Sequence, residues 1–239
     1  MLPAQAIDTC PRCSGSGWVP LPGDSLRVEP CGCHGDLRRR QRMAAAGIPK
    51  RYAHCTLGTF KEKSPLLKLV RNDIQKFVDL WPHTEKGKGL LLVGECGVGK
   101  THLAAAVLIE LITADKPGKM LFNNFQDLIQ EIQASFDSDH TPGKAEILQP
   151  LLDADLLVID ELGSQKPTTW VQDILYYVIN TRYNDEKTTI FTTNYFDTTD
   201  ASKRESLADR IGTRLRSRLF EMAWRYEITG VGDYRRNTL

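Results

Sequence analysis

The sequence predicts an α/β protein in which a five-stranded parallel sheet carries helices on both faces. Short apolar runs typical of buried strands alternate along the chain with longer segments whose apolar residues recur at helical spacing. A glycine-rich octapeptide, residues 94–101, joins one of these apolar runs to a helix-like segment. Parallel sheets that bind ligands place such turns at the carboxyl edge of their strands.

The expected elements begin with a helix over residues 36–46, which carries four arginines and is stopped by a glycine and a proline. This helix is either a basic contact surface for a partner or DNA, or a solvated linker. Ser64 and Pro65 then predict the start of a helix over 66–81, since serine caps a helix and proline suits its first turn. The later strands are expected at 89–93, 119–123, 155–160, 188–193 and 224–228, and the later helices at 101–111, 125–136, 144–152, 168–184 and 206–222.

The length of 239 residues predicts one substantial core with a small appendage, which we place at residues 1–46 ahead of a core at 47–239. The hydrophobic fraction of 41% and the charged fraction of 26% are those of an ordinary globular protein. No apolar run reaches the ~20 residues that a membrane-spanning helix needs. The first ten residues lack the basic and apolar regions of a signal peptide. We therefore expect a cytoplasmic protein without membrane contact.

Charge is unevenly distributed, although the formal net charge is only +1. Residues 1–60 carry eight basic side chains against four acidic ones, and residues 201–239 carry nine against five. The centre, residues 61–200, carries fourteen against twenty-one. Basic ends around an acidic centre suit contact with nucleic acid or an acidic partner, and two solvated basic faces are the alternative.

The octapeptide fits the pattern G-x-x-x-x-G-K-[ST] and reads Gly94-Glu95-Cys96-Gly97-Val98-Gly99-Lys100-Thr101. In a phosphate-binding loop of this type, the glycines let backbone N–H groups turn towards phosphates, and the dipole of the following helix favours the anion. Lys100 is placed to reach the outer phosphates, and the Thr101 hydroxyl is placed to ligate Mg²⁺. The flanking strand and helix disfavour a glycine-rich turn that matches by chance. The chain is therefore expected to bind a nucleoside triphosphate.

Polar residues end two of the expected strands. Asp160 closes the strand 155–160 and is expected to hold Mg²⁺ through water, while Glu161 is placed to polarise an attacking water as the catalytic base. Asn194 follows the strand 188–193 and is expected to hold the attacking water or the terminal phosphate. For each of these residues the alternative is an ordinary role in a turn.

Arg210, Arg214 and Arg218 recur every fourth residue on the expected helix 206–222, so they share one face. One use of such a face is an arginine finger, which a neighbouring subunit inserts to neutralise charge in the transition state. A solvated or DNA-facing basic stripe is the alternative, and the spacing alone does not decide between the two.

Four of the six cysteines lie near the start of the chain, as Cys10 and Cys13 and then Cys31 and Cys33. Two pairs of thiols at short spacing are typical of a tetrahedral Zn²⁺ site, and metal binding stabilises a segment too small for a core of its own. Disulfides are disfavoured in a reducing compartment, and unrelated free thiols are the other alternative. Whether Cys33 or the adjacent His34 supplies the fourth ligand stays open.

These motifs together resemble the AAA+ ATPases, and within them the DnaC/DnaI-type replicative helicase loaders and their IstB-type transposition relatives. The resemblance covers nearly the whole chain. Residues 155–163 are similar to the Walker B strand of the loaders, and residues 192–194 to their sensor 1. Residues 214–219 resemble the box VII segment shared with DnaA-type initiators, and residues 233–235 the sensor 2 position. Residues 47–52 resemble the entry segment that packs near the adenine.

The resemblance implies a P-loop NTPase fold of the AAA+ type with a short or absent lid, and ATP with Mg²⁺ as cofactors. It also implies that Tyr52 and Arg235 contact the nucleotide. It favours Arg218 as the arginine finger, with Arg214 as its neighbour.

The resemblance further implies a helicase loader, whose ATP-bound subunits assemble into a spiral or ring that grips single-stranded DNA. Phe136, Thr168 and Trp170 are the candidate DNA contacts by position, although packing roles suit the two aromatic residues equally well. The cysteine-rich segment resembles the zinc-binding domain with which DnaI-type loaders dock on a hexameric replicative helicase. A transposition helper acting on duplex DNA, and a zinc-bearing adaptor that binds nucleotide as a switch without hydrolysing it, are the alternatives.

Overall fold

The structure, a computed structural model, describes residues 10–21, 24–135, 144–165, 168–197 and 205–234. The chain forms two compact units, residues 1–45 and residues 46–239. Two residues singled out from the sequence, Phe136 and Arg235, lie outside the described residues.

The smaller unit contains an antiparallel hairpin and one helix. Its strands are β1 (Trp18–Leu21) and β2 (Asp24–Pro30), and its helix is α1 (His34–Ala45). The hairpin was not predicted, because strands this short, with two prolines among them, show no clear alternation of apolar and polar residues. The turn before β1 depends on Gly15 and Gly17, which have positive φ angles of 85° and 78°.

The larger unit is built on a five-stranded sheet in which every neighbouring pair of strands is parallel. The strands are β3 (Gly89–Gly94), β4 (Met120–Asn124), β5 (Leu156–Asp160), β6 (Thr188–Thr193) and β7 (Ala223–Ile228). Their spatial order is β4-β5-β6-β3-β7. Every residue of β3, β5 and β6 is buried, as expected for central strands covered on both faces. The predicted fold class is confirmed.

Helices of the larger unit begin and end close to the predicted positions. They are α2 (Pro65–Leu80), α3 (Lys100–Thr113), α4 (Phe125–Ala134), α5 (Lys144–Asp153), α6 (Thr169–Asn184), α7 (Leu207–Ile211) and α8 (Thr213–Met222). The Ser64 hydroxyl accepts a hydrogen bond from the Leu67 amide at 3.2 Å, so the predicted cap of α2 is present. Within the part of the chain that the structure describes, no helix is both long and apolar enough to cross a membrane.

The single helix expected over residues 206–222 is wrong. Gly212, with φ +83° and ψ 150°, separates α7 from α8, and a capping box between Ser206 and Asp209 starts α7 independently. Arg210 therefore lies on a different helix from Arg214 and Arg218, and the three do not form one stripe. Glycine at the break makes this conformation accessible, since a positive φ costs other residues energy.

A buried arginine connects several elements near the amino ends of the strands. This edge of the sheet lies opposite the edge that carries the glycine-rich loop. Arg182 of α6 is completely buried, and burial lowers its pKa to about 10. Its guanidinium donates to the carbonyls of Leu151, Ala154 and Thr188 at 2.6–2.7 Å and to the Thr189 hydroxyl at 2.9 Å. These bonds tie α5, α6 and β6 together, because a buried carbonyl without a donor is costly.

Candidate nucleotide-binding site

The glycine-rich loop lies between β3 and α3, where the sequence placed it. Gly97 and Gly99 have φ angles of +82° and +97°, and a Cβ atom on Gly99 would lie only 2.7 Å from the Phe60 ring. Val98 is buried, whereas Glu95 and Cys96 are exposed at the tip of the loop. The amino end of a fourteen-residue helix follows at once, so its N–H groups and dipole face the loop.

Lys100, the first residue of α3, is buried with 6% of its surface exposed. Its ammonium donates hydrogen bonds to the carbonyl oxygens of Gly94 and Glu95, at 2.8 and 2.7 Å. These contacts hold the charge inside the curve of the loop. A cation at this point suits the outer phosphates of a nucleotide.

Asp160, at the end of β5, is the centre of a hydrogen-bond group with two threonines. The Thr101 hydroxyl donates to its carboxylate at 2.9 Å, and the Thr192 hydroxyl donates to the same oxygen at 2.6 Å. Burial raises the pKa of Asp160, and the two hydroxyl donors partly oppose that effect. Only 3% of the residue is exposed. A carboxylate and a hydroxyl at one point form a ligand set that suits Mg²⁺.

Glu161 follows directly and lines the same cavity as Lys100 and Thr101. Its φ of +58° is unusual for a residue other than glycine. The Glu161 amide donates to the Thr192 hydroxyl at 2.9 Å, which contributes to holding this backbone conformation. The Glu161 carboxylate accepts a weak hydrogen bond of 3.4 Å from the Asn124 side chain at the end of β4. Asn124 was missed, although it directly follows a predicted strand. Thr192 was recognised only as part of the segment that resembles sensor 1, without a role of its own.

Asn194 lies one residue beyond β6 and is half-buried in the cavity wall. Strands β5 and β6 are adjacent and parallel, so their carboxyl ends meet at one edge of the sheet. The Thr193 hydroxyl donates to the Leu162 carbonyl at 2.9 Å and joins the two loops. The position of Asn194 therefore suits contact with a phosphate or a water beside Glu161.

The cavity behind the loop has a volume of about 480 Å³. Its walls are formed by the glycine-rich loop, the carboxyl ends of β5 and β6, and the segment before α2. The residues that line it are Arg51, Tyr52, His54, Cys55, Thr59, Phe60, Lys61, Cys96, Gly97, Gly99, Lys100, Thr101, His102, Glu161, Thr192, Asn194 and Tyr234. A volume of this size suits a small-molecule ligand.

Tyr52, singled out from the sequence, lies in this wall with a cationic neighbour. Its ring centroid is 6.5 Å from that of Phe122, and the Arg51 guanidinium lies 5.2 Å from the Tyr52 ring centroid. His102 was missed. Its ring nitrogen Nε2 lies 3.0 Å from the Thr56 carbonyl, and burial lowers the pKa of the imidazole. The Phe122 contact attaches the segment before α2 to β4, and the His102 contact attaches it to α3.

The last described residues also reach the loop. The Tyr234 amide donates to the Gly97 carbonyl at 3.1 Å, and its hydroxyl donates to the Lys61 carbonyl. The Tyr234 ring lies 6.2 Å from the Phe60 ring and 4.4 Å from the Lys63 ammonium. Tyr234 is thus a cavity residue that the sequence did not single out, although it immediately precedes Arg235.

The arginines of the supposed finger segment are not part of this cavity. Arg214 is exposed on α8, and Arg218 is half-buried between two tyrosines of α6. Arg210, on α7, instead pairs with Glu205 at 2.6 Å and stacks on the Tyr195 ring at 4.5 Å. Arg214 and Arg218 therefore do not line the nucleotide site of their own chain.

Two of the candidate DNA contacts have structural roles. The Thr168 hydroxyl caps α6 by accepting from the Val171 amide at 3.3 Å. Trp170 is half-buried against the core. Both lie outside the cavity wall.

A second cluster lies in the smaller unit, where Cys10, Cys13, Cys31 and Cys33 have their sulfur atoms within 4.8 Å of one another. The sulfur atoms of Cys10 and Cys31 are 3.7 Å apart, and those of Cys13 and Cys33 are 3.3 Å apart. Tetrahedral zinc with Zn–S bonds of about 2.3 Å requires sulfur atoms roughly 3.8 Å apart. The four thiols therefore fit a Zn²⁺ ion.

The four sulfur atoms cluster without His34, so the geometry favours Cys33 over His34 as the candidate fourth ligand. His34 points its Nδ1 atom to the Gly17 carbonyl at 3.2 Å and packs edge-on against Trp18. The Gly17 amide donates to the Cys13 sulfur at 3.3 Å. Burial opposes ionisation of Cys13, but hydrogen bonds from Cys33 and from Gly17 lower its pKa to about 6. The same contact raises the pKa of Cys33, because the hydrogen bond to Cys13 favours the protonated form of the Cys33 thiol.

Comparison with known proteins matches the chain to an ATP-binding family. The family model described as IstB-like ATP binding protein matches residues 66–219, more than half of the chain. The replicative helicase loader DnaI of Bacillus subtilis (strain 168) is 28% identical over 123 residues, 51% of this chain and 38% of that protein. The replicative helicase loader DnaC of Escherichia coli (strain K12) is 29% identical over 126 residues, 53% of this chain and 47% of that protein.

A solved structure described as the crystal structure of the DnaC helicase loader is also similar. It superposes with a TM-score of 0.64 at 34% identity and covers 76% of this chain and 100% of that one. The matches to the two curated relatives, in contrast, span less than half the length of each.

Proposed function

This chain belongs to the IstB-like ATP-binding protein family, and from that premise we propose that its larger unit binds ATP with Mg²⁺ and hydrolyses the terminal phosphate. The observation that carries the proposal is the meeting of Thr101, Asp160 and Thr192 beside the glycine-rich loop. Three segments distant in the chain converge there on one buried carboxylate, at the mouth of a cavity large enough for a nucleotide.

The residues divide the work of hydrolysis between them. Backbone N–H groups of the loop and the Lys100 ammonium hold the phosphates, and Thr101 with Asp160 holds Mg²⁺, which supplies positive charge to the phosphate oxygens. Glu161 orients a water for attack and accepts its proton. Asn194 holds that water or the terminal phosphate. Arg218 comes from a neighbouring subunit and stabilises charge in the transition state.

The catalytic assignment is tested with Glu161→Gln, which keeps the hydrogen-bonding shape of the side chain but cannot accept the proton. We expect turnover to fall by about 10²–10⁴-fold, while the affinity for ATP in the presence of Mg²⁺ stays the same. Glu146→Gln, at an exposed position on α5 and outside the cavity wall, is the matched control and is expected to keep full activity. Unaltered turnover in Glu161→Gln would overturn the assignment.

At the level of biological process, we propose a replicative helicase loader. The similarity to DnaC and DnaI supports this, as does a separate cysteine-bearing unit ahead of the ATPase core. ATP-bound subunits assemble into a spiral or ring that binds single-stranded DNA, and hydrolysis releases them. The smaller unit, folded around Zn²⁺, contacts the hexameric helicase.

This proposal is tested by co-purification with the replicative helicase of the host, comparing the full chain with a version that lacks residues 1–46. Loss of the helicase on truncation, with ATP binding retained, supports the loader. If the full chain binds no helicase and instead assembles on duplex DNA with ATP, the protein is a transposition helper. A chain that binds ATP without any turnover, alone or on DNA, is a nucleotide switch.

A further inference from the structure

Helix α8 packs on α6 through a short row of polar and aromatic side chains. Tyr176 and Tyr183 are seven residues apart on α6, so they lie on one face two turns from each other. The Arg218 guanidinium lies 5.4 Å from the Tyr176 ring centroid and 4.9 Å from the Tyr183 ring centroid. It also donates a hydrogen bond of 3.3 Å to the Tyr176 hydroxyl. Arg218 is therefore held between two aromatic rings.

The tyrosines are themselves fixed in place. The Tyr183 hydroxyl donates to the Glu221 carboxylate at 2.7 Å, and this bond raises the pKa of Tyr183. Glu221 lies three residues after Arg218, so the helix that carries the arginine also orients the ring that holds it. Tyr176 and Tyr183 are half-buried against the core, which limits their movement.

Arg214 provides the contrast on the same helix. It lies one turn before Arg218 and is exposed, and no ion pair or hydrogen bond joins its side chain to the described residues. A long side chain without such contacts keeps more rotamer freedom than one that is held between two rings. The guanidinium of an arginine keeps its charge whatever it stacks on, so the aromatic contacts restrict Arg218 without neutralising it.

We propose that Tyr176 and Tyr183 are positioning residues that hold Arg218 ready to enter the nucleotide site of a neighbouring subunit. This inference rests on the proposed role of Arg218 in hydrolysis. Both hydroxyls take part: that of Tyr176 accepts from the arginine, and that of Tyr183 anchors its own ring to Glu221. A catalytic group held in its reactive geometry reacts faster than one that must find it, and a shift of about 1 Å costs up to 10²-fold.

A packing role for the same tyrosines has different consequences. Tyrosines that only join α6 to α8 would affect stability in every subunit, and a defect would not depend on which subunit supplies the arginine. A positioning role affects only the site that the subunit completes for its neighbour. The subunit's own cavity, which contains neither tyrosine, stays intact.

The experiment uses full-length Tyr176→Leu, Tyr183→Leu and the milder Tyr176→Phe, with Tyr177→Leu as the control. Tyr177 is on the same helix but is 50% exposed. Each variant is assayed for ATP affinity and turnover, alone and mixed in equal amounts with Glu161→Gln subunits. The Glu161→Gln subunit lacks a working site but supplies an intact Arg218. We expect the leucine variants to lose turnover about 10- to 100-fold with ATP affinity unchanged, and the mixture to regain activity.

Double variants with Arg218→Ala complete the test. If the tyrosines act through Arg218, adding Tyr176→Phe or Tyr176→Leu to Arg218→Ala causes no further loss of turnover. Additive losses, or leucine variants that the Glu161→Gln subunits fail to rescue, overturn the positioning role. Full turnover in Arg218→Ala would instead overturn the proposed function of Arg218. Should a leucine variant fail to fold, Tyr176→Phe keeps the ring, and its additivity with Arg218→Ala decides the question.

Discussion

The Thr101 hydroxyl donates a hydrogen bond of 2.9 Å to the Asp160 carboxylate, although 59 positions separate the two residues in the chain. Thr101 is at the start of α3 and Asp160 is at the end of β5, so the bond joins the glycine-rich loop to the acidic strand end. Since the carboxylate is buried, it is stabilised mainly by the two hydroxyls that donate to it.

Replacing Asp160 by Asn is expected to lower ATP turnover about 100-fold or more, because the Mg²⁺ ligand is lost.

Without Mg²⁺, the same change is expected to raise the melting temperature at neutral pH. Burial raises the pKa of Asp160, so the folded state holds the proton more tightly than the unfolded chain, and ionisation removes stability as pH rises through that pKa. Differential scanning fluorimetry across pH measures this. A variant that melts below the wild type at neutral pH would contradict the prediction.

Replacing Arg182 by Met is expected to destabilise the larger unit by about 3 kcal/mol or more. The change leaves the carbonyls of Leu151, Ala154 and Thr188 buried without their donors, and each loss costs about 1–3 kcal/mol. Urea unfolding measures the loss. Arg214→Met, at an exposed position, is the control and changes stability little. Equal stability of the two variants would show that the arginine does not tie α5, α6 and β6 together.

Replacing Cys13 by Ser is expected to remove zinc from the protein and to unfold the smaller unit. Metal analysis of the wild type should find one zinc per chain, since the four thiols form a single cluster. Circular dichroism before and after a chelator follows the folding of the hairpin and α1. Cys96→Ser, outside the cluster, should keep its zinc. Full zinc content in Cys13→Ser would rule out this ligand set.

Replacing Tyr234 by Ala is expected to raise the dissociation constant for ATP about five- to tenfold, because the aromatic wall beside Phe60 is lost. Fluorescence titration with a labelled nucleotide measures the affinity. Tyr177→Ala is the matched control, because Tyr177 is exposed on α6 and does not line the cavity. An affinity equal to that of the wild type would place Tyr234 outside the nucleotide contact.

The sequence predicted those parts of the site whose residues lie close together in the chain. The glycine-rich loop, the pair Asp160 and Glu161, and the two cysteine pairs are short motifs whose chemistry needs neighbouring residues, so they were visible in the chain. Asn124 and Tyr234 were missed because each is an ordinary residue where it stands. They acquire roles only when β4 and the segment that carries Tyr234 fold beside the loop.

The sequence by itself determined the alternation of strands and helices, and with it a parallel sheet whose carboxyl edge carries the polar residues. Apolar periodicity and capping depend on a few neighbouring residues, which is why these features are local. The tertiary structure alone decided the strand order β4-β5-β6-β3-β7, the break at Gly212 and the burial of Arg182. Each of these depends on contacts between segments distant in the chain, whose free energy no local pattern records.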